Sequence, residues 1–429
     1  MANRNPDFSV MKLGECHFPS PASGMRFTRD NERILYHTRL ADIKACIAEG
    51  IEPAAMEAAG PREKLFFDPS KLSCGIVSCG GLCPGINDVI RSLVLNLYHH
   101  YGVKNVYGFR FGYEGLVRRI GHQPLRLTPE SVDRIHEIGG TILGTSRGPQ
   151  DPMEMVKTLA ELNIGILFAI GGDGTLRGAQ KIAEEAMRLG MVLSVIGIPK
   201  TIDNDISFVQ KTFGFETAVA EARRAIYAAN TEAEAARNGI GLVKLMGRDS
   251  GFIAAFSVLV DSQANFCLVP EVPFTLERFL EELKRRLDRQ GHAVIVVAEG
   301  AGQDLMEKMA ERDASGNVKY GDIGIFLRDA IKGYFKREGT AINLKYIDPS
   351  YTIRSVPANT HDSVFCLLLG QSAVHAAMSG RTNMVVGFWN HQFAHVPISL
   401  AVSQRKKIDV EETLWNSVLA STGQPRNMQ

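Results

Sequence analysis

The stretch Ile164-Gly165-Ile166-Leu167-Phe168-Ala169-Ile170-Gly171-Gly172-Asp173-Gly174-Thr175 decides the fold. It opens with an apolar run of strand length, and a glycine-rich turn carrying one aspartate follows at once. A run without polar alternation suits a strand covered on both faces. Glycines at a strand-to-helix turn let backbone N–H groups come close to an anion, which the helix dipole also favours.

Working outward, further runs rich in Ile, Val and Leu at 73–78, 105–109, 192–198, 240–246, 292–298 and 383–388 predict strands. The segments near 86–101, 151–162, 175–190, 213–234, 249–262, 275–290 and 360–379 suit helices. Continuous apolar strands alternating with helices imply an α/β protein with parallel sheets covered on both faces. Residues 1–72 lack this rhythm and contain Pro19-Ser20-Pro21, so they read as an N-terminal extension packed on the main body. The remainder divides into lobes over about 73–235 and 236–429, with C-terminal segments returning to the body.

With 429 residues and 45% apolar composition, the chain has ample material for two or more cores. Its 48 Lys and Arg balance 47 Asp and Glu, which removes the broad positive field that nucleic acid or an anionic membrane would need. An anionic ligand must therefore be held by a local cluster. The first residues show no signal-peptide core and no apolar run reaches membrane-spanning length, so a cytoplasmic protein is expected. Seven cysteines, an odd number without a regular framework, point the same way. Cys74, Cys79 and Cys83 lie close together, but no matching Cys or His pair follows at zinc-site spacing; buried or loop thiols are the reading.

In parallel sheets, ligands gather beyond the carboxyl ends of strands. Four strand ends here carry glycines, charges or both. After 73–78 comes Gly80-Gly81-Leu82-Cys83-Pro84-Gly85, a second turn able to approach phosphate. Asp173, between glycines that leave its carboxylate unshielded, suits a hard oxygen ligand to Mg²⁺ held chiefly by phosphates and water; capping the helix that begins near Thr175 is the ordinary alternative. In Pro199-Lys200-Thr201-Ile202-Asp203-Asn204-Asp205, an extended backbone would send Asp203 and Asp205 to the same side. One carboxylate can then accept the proton of an attacking hydroxyl while the other orients it or contacts Mg²⁺. Lys200 can reach phosphate oxygens as a mobile point charge, the alternative being a solvated turn. Arg147, in a small-residue loop, could stabilise a transferring phosphoryl group, the alternative being a surface arginine. Arg248, in Gly247-Arg248-Asp249-Ser250-Gly251, and Arg354 suit bidentate capture of a sugar phosphate, with structural ion pairs as the alternative. Glu299, after the run AVIVVA, is placed to accept hydrogen bonds from sugar hydroxyls, with a helix cap or an ion pair as the alternative.

These segments together resemble the phosphofructokinase family, from about residue 72 to beyond 390. The resemblance rests on Cys79-Gly80-Gly81-Leu82-Cys83-Pro84-Gly85-Ile86-Asn87, Gly112-Tyr113-Glu114-Gly115-Leu116, Gly144-Thr145-Ser146-Arg147-Gly148, Gly171-Gly172-Asp173-Gly174-Thr175, the segment Pro199 to Asp205, Met246-Gly247-Arg248, Ala298-Glu299-Gly300-Ala301-Gly302 and Tyr351-Thr352-Ile353-Arg354. It implies two doubly wound, Rossmann-like lobes with the active site in the cleft between them. It also implies ATP-dependent phosphorylation of the 1-hydroxyl of fructose 6-phosphate, a step of glycolysis, with Mg²⁺ and a homodimer or homotetramer. By resemblance, Gly81, Arg147, Gly148, Gly172, Asp173, Gly174 and Thr175 bind the donor phosphates, and Asp173 holds the metal. Asp203 is the general base, supported by Thr201 and Asp205, while Lys200 and Arg147 stabilise the transition state. Thr201, Ile202, Asp203, Met246, Gly247, Arg248, Glu299, Tyr351 and Arg354 form the sugar-phosphate site.

The chain looks like the group carrying PKTIDND, which includes plant-type and trypanosome-type ATP enzymes and pyrophosphate-dependent ones. Short bacterial ATP enzymes have Gly where Lys200 stands and use a neighbouring subunit's arginine near the place of Gly239; this chain has none there, and Lys345 or Arg237 are the candidates to replace it. Pyrophosphate enzymes typically place Asp at the position of Gly174, where it would repel an α-phosphate, so Gly174 favours ATP. The alternatives are a pyrophosphate-dependent phosphotransferase, a silent regulatory sugar-phosphate-binding subunit, and an NAD or lipid kinase, which would share only the GGDGT turn.

Overall fold

The apolar runs form strands where the sequence places them, to within a residue or two: Ser73–Ser78, Asn105–Phe109, Ile164–Gly171, Ser194–Pro199, Gly239–Leu245, His292–Ala298 and Met384–Trp389. The computed structural model describes residues 6–21, 24–307, 311 and 319–429; the first five residues of the stretch read for a signal lie outside them. The chain divides into two compact units. One comprises Met1–Thr201, Ile206–Gly214 and Val356–Gln404, the other Ile202–Asp205, Phe215–Ser355 and Arg405–Gln429.

The first unit is built on a nine-stranded sheet whose centre is parallel, in the order Met384–Trp389, Ser194–Pro199, Ile164–Gly171, Ser73–Ser78, Asn105–Phe109. Parallel strands need crossovers, and the helices Ile86–His99, Pro152–Glu161 and Asp173–Arg188 supply them. Local chemistry starts these helices. The Asp151 side chain accepts from Met153 N–H ahead of Pro152, a residue suited to the first helical position. Ile76, Phe168, Val195 and Val385 are fully buried in the sheet.

The N-terminal extension does more than pack on the body. Its strands Arg33–Leu35 and Ala55–Ala58 continue the sheet antiparallel beyond Gln392–Pro397, and Met11–Lys12 pairs with Arg381–Thr382. The apolar rhythm is missing there because the strands are short and one carries a buried charge. Burial opposes ionisation of Glu57, but hydrogen bonds from His395 and Arg381 overcome it and hold its carboxyl far below the usual range. Arg62 adds a contact at 3.4 Å.

The second unit holds a four-stranded, wholly parallel sheet in the order Phe266–Leu268, His292–Ala298, Gly239–Leu245, Asn343–Ile347. The helix Phe215–Glu234, grouped with the first lobe on sequence, packs here on the Gly239–Leu245 strand. The amphipathic helix Leu276–Gln290, capped by Thr275 and ended by left-handed Gly291, buries Phe279, Leu283 and Leu287. With Leu327 and Ile331 of the helix Ile323–Arg337, these side chains cover Leu242, Ile295 and Val297. The helix Ile323–Arg337 and the strand Asn343–Ile347 were not read from the sequence. The strand is half-exposed and carries Asn343 and Lys345, so it shows no continuous apolar run.

Candidate active site

Three neighbouring parallel strands of the first unit lead into the two predicted phosphate turns and the acidic segment that begins at Lys200. Hydrogen bonds tie the turns into one surface: Cys79 N–H donates to Ile170 O at 3.0 Å, and Lys200 N–H to Gly171 O at 3.0 Å. Lys200 was expected to be a mobile point charge. Instead it is 5% exposed, and its Nζ donates to Gly81 O at 2.7 Å. Gly80 has φ +86°, a left-handed conformation open to glycine, and a Cβ there would stand 3.8 Å from that ammonium. The Arg147 loop is clipped to the same turn, because Thr145 Oγ1 donates to Gly80 O at 2.7 Å and Gly80 N–H to Ser146 O at 3.0 Å. Arg147 itself is exposed, and Gly148 follows at φ +103°.

Gly172 is the N-cap of the helix Asp173–Arg188, so Asp173 is the first helical residue and does not cap it. Its Oδ2 accepts from Arg177 Nε at 3.1 Å, one turn along. Thr175 is buried, with its carbonyl bonded to Tyr113 Oη at 2.6 Å. A Cβ built on Gly174 meets nothing within 4 Å. A carboxylate beside open space fits Mg²⁺, which keeps waters and phosphate oxygens as its other ligands, and the helix N-terminus favours those phosphates. Among the described residues no cluster of three or more His, Cys, Asp or Glu could cage a metal.

The chain passes into the second unit inside the PKTIDND segment, between Thr201 and Ile202. The segment is not extended: Ile202 and Asp203 form a turn and Asn204 has φ +54°. The period-two argument for the paired carboxylates therefore fails. A left-handed residue, a conformation Asn tolerates better than most, brings them together instead. Asp203 keeps part of its surface open. Burial, then the Asp205 and Glu299 charges, push its carboxyl well above the usual range, with Arg405 opposing. Asp205 is buried, and its Oδ2 accepts from Arg405 Nη1 at 2.7 Å. Its Oδ1 is buried and accepts no hydrogen bond among the described residues.

Gly247, at φ +129°, turns the chain after Met246 so that Arg248 stacks over the Tyr320 ring, 4.1 Å from guanidinium carbon to centroid. Burial raises the Glu299 carboxyl, while Arg248, Lys244 and Arg354 oppose that rise. Arg354 lies 4.9 Å over the Tyr351 ring, and Tyr351 is 74% exposed. The structure thus groups Glu299 with Arg248 and Arg354, a charge pattern suited to a phosphorylated polyol. Of the proposed arginine substitutes, Arg237 is exposed and Lys345 faces Glu232 at 3.9 Å.

Sequence reading missed three groups here. Lys244 Nζ bridges Asp322 at 2.7 Å and Asp348 at 2.8 Å, fixing the turn from which Tyr351 and Arg354 emerge. Tyr320 supplies the face under Arg248, and Arg405 grips Asp205. Only a charge at the end of an apolar strand could have signalled Lys244. A cavity of about 540 Å³ lies elsewhere, among Phe8, Lys12, Arg33 and Glu57. It is lined by none of these site residues.

Phosphate turns and an acidic loop on parallel strand ends define an α/β phosphotransferase. Residues 73–377 match the family described as Phosphofructokinase, and the chain belongs to that family. An ATP-dependent 6-phosphofructokinase of Borreliella burgdorferi is 47% identical over 444 residues, covering 100% of this chain and 99% of its own length. One from Trypanosoma brucei brucei is 45% identical over 420 residues, covering 96% of this chain and 86% of its own. The fold is also that of a pyrophosphate-dependent phosphofructokinase from Marinobacter aquaeolei, at TM-score 0.68 and 20% identity, over 82% of this chain and 91% of that one. Among the described residues no helix is long and apolar enough to cross a membrane.

Proposed function

We propose that the chain transfers the γ-phosphoryl group of ATP to the 1-hydroxyl of fructose 6-phosphate, giving fructose 1,6-bisphosphate and ADP in the glycolysis of the cytoplasm. The observation that carries this reading is Asp203, a largely buried residue whose carboxyl is made basic by burial and by Asp205. It stands in the same unit as Glu299, whose carboxyl feels Arg248 and Arg354. A carboxylate of raised pKa accepts a hydroxyl proton more readily than an ordinary one.

In this mechanism Arg248, Arg354 and Tyr351 hold the sugar phosphate, and Glu299 orients its hydroxyls, with Met246, Gly247, Thr201 and Ile202 shaping the same site. Asp203 takes the proton of the 1-hydroxyl as its oxygen bonds to the γ-phosphorus, and the bond to the bridging oxygen of ADP breaks. Asp205 supports Asp203. Lys200 and Arg147 oppose charge building on the phosphoryl and bridging oxygens, while Gly81, Gly148 and the Gly172 to Thr175 turn receive the donor phosphates through backbone N–H groups. Asp173 would hold Mg²⁺, whose charge neutralises the donor phosphates when bound.

The open space at Gly174 favours a nucleotide over pyrophosphate as donor. All seven cysteines are free, which suits a reducing compartment. A homodimer or homotetramer is the expected assembly, checked by light scattering. The deciding experiment is a coupled assay of the purified protein with fructose 6-phosphate and, in turn, ATP, GTP and pyrophosphate. ATP should give ADP and fructose 1,6-bisphosphate in equal amounts. Turnover with pyrophosphate alone would reassign the donor, and none with any donor would favour a silent regulatory subunit.

A further inference from the structure

The segment Arg405-Lys406-Lys407-Ile408 belongs to no motif singled out in the sequence, yet it is sewn to the acidic turn at several points. Arg405 Nη1 donates to Asp205 Oδ2 at 2.7 Å, and Lys406 N–H donates to Asp205 O at 2.8 Å. Asp205 is thus held by side chain and backbone from adjacent residues. Arg405 Nε also faces Asp249 Oδ2 at 3.8 Å. Two residues on, Ile408 N–H donates to Glu271 Oε1 at 2.9 Å. The same Glu271 carboxylate accepts from Gly251 N–H at 3.1 Å through both oxygens, so the strap also grips the turn that follows Arg248. Lys406 is half-buried with its ammonium 5.2 Å from the Phe252 ring centroid, and this packing fixes the strap in place.

Charge gives this stitching a purpose. The Asp205, Glu299 and Asp249 carboxylates all act on Asp203 and raise its carboxyl, and Arg405 opposes them; like charges so placed favour a cation that holds them. The guanidinium of Arg405 donates to the Asp205 carboxylate. A planar fork fixes a carboxylate in direction as well as distance, which a solvated lysine does not. We propose that Arg405 is a positioning residue for phosphoryl transfer: by clamping Asp205 it sets the Asp203-Asn204-Asp205 turn in its reactive geometry. This rests on Asp203 being the base, as argued above. Arg405 has no direct contact with substrate in this role.

A displacement of about 1 Å in a reacting group costs on the order of a hundredfold in rate. Arg405→Ala should therefore lower kcat by about ten- to a hundredfold while the KM values for fructose 6-phosphate and ATP stay within about twofold, the pattern of geometry lost after binding. The side chain is 33% exposed, so small guanidines have access to the vacated space. Methylguanidinium should restore part of the lost kcat, and Arg405→Lys should fall between the two. A second readout does not depend on the acceptor: amide hydrogen exchange of the 201–209 peptide should speed up in Arg405→Ala. Unchanged kcat, a loss confined to KM, or unchanged exchange in a folded variant would each overturn the positioning role. If the parent protein fails to turn over fructose 6-phosphate while exchange in Arg405→Ala still rises, the substrate reading falls and the clamp stands.

Discussion

Lys200 Nζ donates to the Gly81 carbonyl oxygen at 2.7 Å, joining the ends of strands 119 residues apart in the chain. An ammonium buried in this way is already desolvated and aimed, so little reorganisation remains when negative charge builds nearby. Lys200→Met should lower kcat by about a hundredfold or more, the scale of removing one electrostatic donor, while KM for fructose 6-phosphate changes far less. Steady-state kinetics on the folded variant decide it. A large rise in KM with kcat intact would make Lys200 a ground-state binder.

Asp203→Asn should reduce turnover by about two to four orders of magnitude while fructose 6-phosphate still binds, measured by calorimetry beside kinetics. The same variant should melt higher at neutral pH. Because the folded carboxyl is raised, the native state holds its proton more tightly than the unfolded chain. Stability therefore falls as pH rises from the ordinary carboxylate range through the folded value, and the cost persists above it. Asn removes that cost, so Tm should rise by about 1–3 °C near neutrality. The gain should vanish as acid protonates Asp203.

The pH profile offers an independent check on the base. Asp203 must be ionised to accept the hydroxyl proton, so the acid limb of kcat/KM should lie above the ordinary carboxylate range. An acid limb at the value of a solvated aspartate would remove Asp203 from that role.

At Gly174, an added side chain enters open space at the second position of a helix, where an acid is tolerated or mildly favourable. Gly174→Asp should therefore fold with an unchanged Tm but raise KM for ATP, because the new carboxylate repels the nucleotide phosphates. Unaltered ATP kinetics would refute this account of donor choice.

Gly300 behaves differently, since a methyl group there would overlap the Arg248 carbonyl oxygen. Gly300→Ala must shift that segment at a strain of about 1–3 kcal/mol. Moving Arg248 should raise KM for fructose 6-phosphate by about tenfold and leave KM for ATP nearly unchanged. Equal effects on both substrates would argue against Arg248 as a sugar-phosphate ligand.

Much of the protein could be read without coordinates. The seven main strands and the helices between them follow from runs of apolar residues and their spacing, and the turns at 80–85 and 171–175 from glycines placed at strand ends. These are local properties: a buried parallel strand must be apolar along its whole length, and a phosphate turn must lack side chains, whatever lies elsewhere in the chain. The acidic pair was legible for the wrong reason, because the sequence does not reveal that Asn204 is left-handed.

What tertiary structure alone decided is which charges meet. Arg405 and Asp205 are 200 residues apart, and Lys244 lies 78 residues from Asp322. The sequence determined the α/β rhythm, the strand-end chemistry and the family. It did not show that Lys200 is buried, that Glu57 is held ionised by Arg381 and His395 inside a strand paired on both sides, or that Arg405 clamps the acidic turn. A charged side chain carries the same letters whether it is solvated or buried. Its partner is set by sheet order and crossovers that bring remote segments together, and burial then determines how strongly the pair interacts.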